Sequence, residues 1–144
     1  MPDMISINVT DVQKEWSTVV DSAIQEKPKF VKRTQDCMMI LGVRFMETML
    51  DAYRFTAERY EEDNGSITLG LNEIDLVENG IDENDARMKL SASILEYAED
   101  YYNDFSLYYS SSNRRHHLPY VIKSLILNDV VKIRELIECQ NGEI

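Results

Sequence analysis

Pro28-Lys29-Phe30-Val31-Lys32-Arg33-Thr34-Gln35-Asp36-Cys37-Met38-Met39-Ile40-Leu41 is the stretch whose reading decides the fold. Pro28 stops what precedes it, because it lacks an N–H and pushes its neighbour out of the helical region. Residues 29–33 mix aromatic, β-branched and basic side chains and read as a strand. Thr34-Gln35-Asp36 reads as a turn, and the nearly continuous apolar run 37–43 predicts a central, well-covered strand. Upstream, residues 4–8 alternate and predict another strand. Thr10 stands three residues before Gln13, the spacing of a capping box. Val12, Trp16, Val19, Val20, Ala23 and Ile24 then recur at threes and fours, one apolar helix face ending near Gln25. Downstream, Phe45, Met49, Tyr53, Thr56 and Tyr60 keep helical spacing, which predicts a helix over 44–60. The order is strand, helix, hairpin, helix.

A polar joint, Glu61-Glu62-Asp63-Asn64-Gly65, follows, and its Asn-Gly is a turn signal. Residues 66–71 alternate and predict an edge strand or hairpin arm, while 72–80 fit either a strand or a helical turn. Asp82 is a candidate N-cap. After it Ala86, Leu90, Ile94, Tyr97, Tyr101, Phe105 and Tyr108 recur with a mean step of 3.67 residues, close to the pure helical period. One helix over 82–109 would be about 40 Å long. Ser110-Ser111-Ser112-Asn113 ends it, and Pro119 suits the first turn of another helix, with Ile122, Leu125 and Ile126 on its apolar face. Asn128-Asp129 breaks or re-caps the chain, and Val130, Ile133, Leu136 and Ile137 continue helically.

The 144 residues include 44% hydrophobic ones, enough for a packed core, and no run approaches a membrane span. Met1-Pro2-Asp3-Met4 has an acid where a signal peptide carries a positive charge, and two cysteines make no disulfide framework. A cytoplasmic protein is the expectation. The net charge of −11 argues against an indiscriminate nucleic-acid binder. Yet residues 1–60 carry only −1, so a local basic patch is possible there, and residues 61–144 carry −10.

Little in the sequence points to catalysis. His116-His117 are neighbours, so their rings point apart on any regular element, and a polar loop is the reading rather than a metal site. The carboxylates at 96, 100 and 104 have the spacing of a solvated helix face. G-x-S-x-G, C-x-x-C, H-E-x-x-H and phosphate-loop patterns are missing. No enzyme, cofactor or metal is therefore expected. Tyr97, Tyr101, Tyr102, Tyr108, Tyr109 and Tyr120 form an aromatic group, expected to divide evenly between core and interface.

The segments Ile5-Ser6-Ile7-Asn8-Val9-Thr10-Asp11-Val12-Gln13-Lys14-Glu15-Trp16-Ser17, Lys32-Arg33-Thr34-Gln35-Asp36 and Met38-Met39-Ile40-Leu41 resemble the Phd/YefM family of antitoxin N-terminal domains. The likeness covers about a third of the chain. It implies a homodimer that binds operator DNA and represses its own promoter. It implies further that Thr10, Gln13 and Lys14 face the major groove, with Arg33, and Lys32 beside it, gripping DNA from the hairpin. The family often has Arg where Gln13 stands and Gly in the hairpin turn, where this chain has Gln35-Asp36. Gln can still bond adenine and Lys can still meet a phosphate. The run Asn113-Arg114-Arg115-His116-His117-Leu118-Pro119-Tyr120-Val121 resembles a helical domain attached to RelB-like antitoxins. That implies a partner, a small basic ribonuclease toxin of the RelE type, masked by the C-terminal helices.

The expectation is thus an α+β protein. A Phd/YefM-like β-α-β-β-α dimerisation and DNA-binding domain spans residues 1–62. A mainly α-helical toxin-binding domain, with a possible short strand, spans 66–144. Tyr97, Tyr101, Glu96, Asp100 and Asp104 are its expected toxin contacts, since an acid-and-tyrosine face suits a basic protein. The competing reading is a dimeric protein-interaction module without DNA binding.

Overall fold

The computed structural model describes residues 5–142. It is α+β, with seven α-helices and two sheets among the described residues. The chain divides into two compact units between Met49 and Leu50.

Unit 1 runs β1 (Ser6–Asn8), α1 (Val9–Lys14), α2 (Trp16–Gln25), β2 (Lys29–Arg33), β3 (Asp36–Ile40) and α3 (Val43–Leu50), the last ending at the division. Its sheet has the order β1-β2-β3, with β1 parallel to β2 and β2 antiparallel to β3. Val31 on the central strand packs with Val12 and Val19 from the helices. The expected first strand is found, although Met4 lies outside the described residues. The single predicted helix is two, because Glu15 leaves helical dihedrals at φ −120°, ψ 37°. Its start is Asn8 rather than a Thr10 capping box; Asn8 caps without a side-chain bond, and Thr10 sits inside α1. The run 37–43 is not a central strand. β3 is an edge strand of this sheet, with Met38 and Met39 exposed.

Unit 2 runs β4 (Phe55–Glu61), β5 (Ile67–Leu71), β6 (Val77–Gly80), α4 (Glu83–Asn103), α5 (Phe105–Ser110), a 3-10 turn (Arg115–His117), α6 (Leu118–Leu127), α7 (Val130–Leu136) and β7 (Ile137–Asn141). The strands form one sheet in the order β6-β5-β4-β7, antiparallel except for the parallel β4–β7 pair. Alternate residues Phe55, Ala57, Ile67, Leu69 and Leu71 turn inward onto Ala86, Leu90 and Ile94 of α4. Burying each large aliphatic or aromatic side chain is worth about 1.5–3 kcal/mol.

This corrects four expectations. Residues 55–61 are a strand, not the second half of a helix. The unit is mainly helical as expected, but it has four strands rather than one short one, and they carry part of its core. The Asn64-Gly65 turn, with Gly65 at φ 85°, joins β4 to β5 and is no domain boundary. Ile137 opens β7 instead of continuing α7.

The predicted punctuation is found. The Asp82 carboxylate accepts from the Asp85 N–H at 2.8 Å, capping α4. Pro119 lies in the first turn of α6. Asn128 adopts φ 45°, and the Asp129 carboxylate then accepts from the Val131 and Lys132 N–H groups to start α7. Gly80 lies against the backbone of α4, where a Cβ would come within 2.2 Å of the Ala86 nitrogen.

Candidate functional site

In unit 1 the short α1 turns Val12 into the core, which leaves Thr10, Gln13 and Lys14 exposed. The parallel register pairs Asn8, the residue before α1, with Lys32. Thr10 and the basic end of β2 are thereby brought to one end of the sheet. Arg33, opposite Asp36 at the hairpin tip, is exposed and lies 3.5 Å from the Asp36 carboxylate. Such a solvent-exposed pair is held weakly. Thr34 completes the turn at φ 55°, in place of a glycine. All five of Thr10, Gln13, Lys14, Lys32 and Arg33 therefore sit in this unit, and four are exposed, with Lys32 half-buried.

Unit 1 also leaves large apolar side chains uncovered. Trp16 is 55% exposed at the α1–α2 break, and Met38 is 50% exposed on the edge strand.

In unit 2 the second expected set divides. Glu96, Asp100 and Asp104 are exposed, as a solvated face requires. Tyr101 is not: it is 0% exposed, packs with Ala98 and Val121, and its hydroxyl donates to the Arg114 carbonyl at 3.0 Å. Tyr97 is half-buried, with its hydroxyl 2.7 Å from His117 Nδ1. Tyr101 is sealed inside this cluster, whereas Tyr97 keeps part of its surface exposed. The stripe at mean step 3.67 was itself the sign, because its members Ala86, Leu90, Ile94 and Tyr101 are buried residues of α4. Burial pushes the Tyr97 hydroxyl up to about 12, and the Tyr101 hydroxyl is raised for the same reason. His117 is held below the usual histidine value by burial and then by the neighbouring His116 and Arg114. The lowered value favours the neutral ring beside the Tyr97 hydroxyl. The two histidine rings lie 4.5 Å apart, and no group of three metal-ligating side chains occurs among the described residues.

The sequence reading did not name Leu107 and put Phe105 on the apolar stripe, although both are exposed. Asp104 interrupts the predicted long helix at φ −123°, ψ 50°, and the separate α5 that follows has no buried residue. Phe105 and Tyr109 stack at 5.3 Å and 15°. Tyr102 and Leu107 are 63% and 60% exposed. Their signal was available: both are large residues lying one place off the buried stripe.

Among the described residues no helix is long and apolar enough to cross a membrane. The comparisons with known proteins agree with one another. The family model PHD_like, described as antitoxin of toxin-antitoxin, RelE / RelB, TA system, matches residues 4–139. The chain belongs to that family and is an antitoxin of a toxin–antitoxin system. It is similar, at 32% identity and a TM-score of 0.90, to a crystal structure from Syntrophomonas wolfei subsp. wolfei, the antitoxin part of a proposed toxin/antitoxin system. The alignment covers 95% of this chain and 99% of that one. No curated protein matches.

Proposed function

We propose that the chain is a non-enzymatic, cytoplasmic antitoxin that works through both its units. Unit 1 acts as a Phd/YefM-type domain. It pairs with a second copy through its uncovered apolar side chains and binds operator DNA, repressing its own promoter. Unit 2, with features of RelB-like antitoxins, neutralises a small basic toxin, a RelE-like mRNA interferase, by covering it.

The observation that carries this reading is the division of charge. Residues 1–49 hold six Lys+Arg against seven Asp+Glu, a net of −1, while residues 50–144 hold nine against nineteen, a net of −10. A near-neutral unit with exposed Lys14 and Arg33 can meet phosphate. An acidic unit repels DNA and attracts a cationic protein.

The test is a gel-shift titration on the chain's own promoter fragment. Reversing Lys14 and Arg33 together to Glu is expected to abolish the shift while toxin neutralisation persists. Each phosphate contact removed should lower the log–log salt slope by about 0.9. A normal shift by the double variant defeats the DNA-site assignment. No shift by the unaltered chain leaves the interaction module without DNA binding.

A further inference from the structure

We propose that α5, with the end of α4 before it, is an apolar ridge that inserts into a concave, cation-rimmed cleft on the toxin. This rests on the antitoxin reading above and names the surface and the shape of partner it needs.

The first ground is that α5 is apolar without being buried. A six-residue helix does not hold itself together in water. Here Tyr108 anchors it, its ring 5.2 Å from Tyr101 and 5.8 Å from Tyr97. What the anchor leaves outside is hydrophobic. The stacked Phe105 and Tyr109 rings offer one flat face, 38% and 40% exposed. Leu107, two positions from Phe105, lies about 200° around the helix and covers the opposite flank. A flat partner would reach one flank only. A groove reaches both, which is how a ridge of this kind is desolvated. Exposed aromatic groups of this density mark interfaces rather than ordinary surface.

The second ground is charge. Glu99, Asp100 and Asp104 are exposed in the turns that lead into α5, within a unit of net charge −10. Two copies of this chain meeting here would set these carboxylates against their own kind. A basic protein meets them favourably and is drawn in faster at low salt. The nearby cations are already committed to the aromatic rings. The Arg114 guanidinium lies 4.9 Å over Tyr108, and that of Arg115 lies 5.2 Å over Tyr109 while its Nε donates to the Tyr109 carbonyl.

The experiment uses the full chain and, as probe, the small basic protein encoded by the adjoining reading frame, with affinity measured by calorimetry. Leu107→Asp, and separately Phe105→Ala with Tyr109→Ala, should each weaken binding at least 100-fold. Glu99→Lys with Asp100→Lys should slow association about tenfold and flatten its salt dependence. Thermal melts identify any variant that fails to fold, and the charge-reversal pair, which alters no apolar contact, keeps the test open in that event. Unchanged affinity in the folded ridge variants overturns this surface and leaves the antitoxin reading standing. No binding by the unaltered chain defeats both. A drop in the chain's own sedimentation coefficient with Leu107→Asp would make a second copy the occupant and overturn the proposal.

Discussion

Unit 2 gathers eleven buried residues, Phe55 to Ile137, into one cluster, whereas the corresponding cluster of unit 1 holds three, Val12, Val19 and Val31. The two also differ in what they leave outside. Unit 2 groups Tyr102, Phe105, Leu107 and Tyr109 around α5, while unit 1 shows Met38 and Met39 on an edge strand and Trp16 at a helix break. A segment of about fifty residues lies near the lower limit for folding on one core alone. The comparison teaches that unit 2 is a self-sufficient fold with a surface to spend, and unit 1 is a fold that still lacks part of its core. A second copy on Met38 and Trp16 supplies that part in the dimer proposed above.

That contrast can be broken in measurable ways. The largest effect is expected at Phe55, fully buried against Tyr120 at 5.8 Å. Phe55→Ala should cost about 3–5 kcal/mol in chemical denaturation of unit 2. Gly80→Ala comes next. Its new methyl would strike the backbone of α4 at Ala86, which no rotamer change relieves, so about 1–3 kcal/mol is expected in the same assay. In unit 1 the sensitivity should be to concentration instead. Each tenfold dilution should remove about 1.4 kcal/mol per mole of dimer from its unfolding free energy, and Trp16→Asp should abolish that dependence. A concentration-independent unit 1 would show that it stands alone.

How far the two units could be read in advance follows the same division. Local chemistry was legible: the Asp82 cap, Pro119 at the start of α6, the re-cap at Asn128-Asp129 and the strand Lys29–Arg33 all rest on neighbours in sequence. What escaped was non-local. Phe45, Met49, Tyr53, Thr56 and Tyr60 happen to keep helical spacing, and that hid the two-residue alternation of Phe55 and Ala57. β4 is a strand because β5 and β7 lie on either side of it, and β7 comes from more than seventy residues away. The apolar run of β3 was read as doubly covered, whereas its cover is absent from the single chain. As for the candidate surfaces, exposure of Thr10, Gln13, Lys14 and Arg33 followed from the helix and hairpin pattern. Tyr101 was misplaced because residue type was allowed to outweigh its position on the buried stripe.

The smallest of the expected effects again separates the units, because both histidines belong to unit 2. His117 has a folded-state value below that of the unfolded chain. As pH falls through about 6.5 the unfolded state takes up a proton that the folded state refuses. Stability is full above that value and declines below it until the folded value is reached. The unit 2 transition of the unaltered chain should thus fall more between pH 7.5 and 5.5 than that of His117→Gln, with unit 1 indifferent. Equal slopes in the two proteins would mean that His117 titrates normally.

The β4–β7 pairing has one last effect, on timing. Phe55 meets Ile137 and Arg59 meets Asn141, so the sheet of unit 2 lacks its fourth strand until residue 141 has left the ribosome. The strands and helices of unit 1, by contrast, are complete once residue 50 has emerged. On the function proposed above, promoter repression would be the earlier capability of each nascent molecule and toxin capture the later one. A protease that trimmed the chain from its rear would remove them in the reverse order.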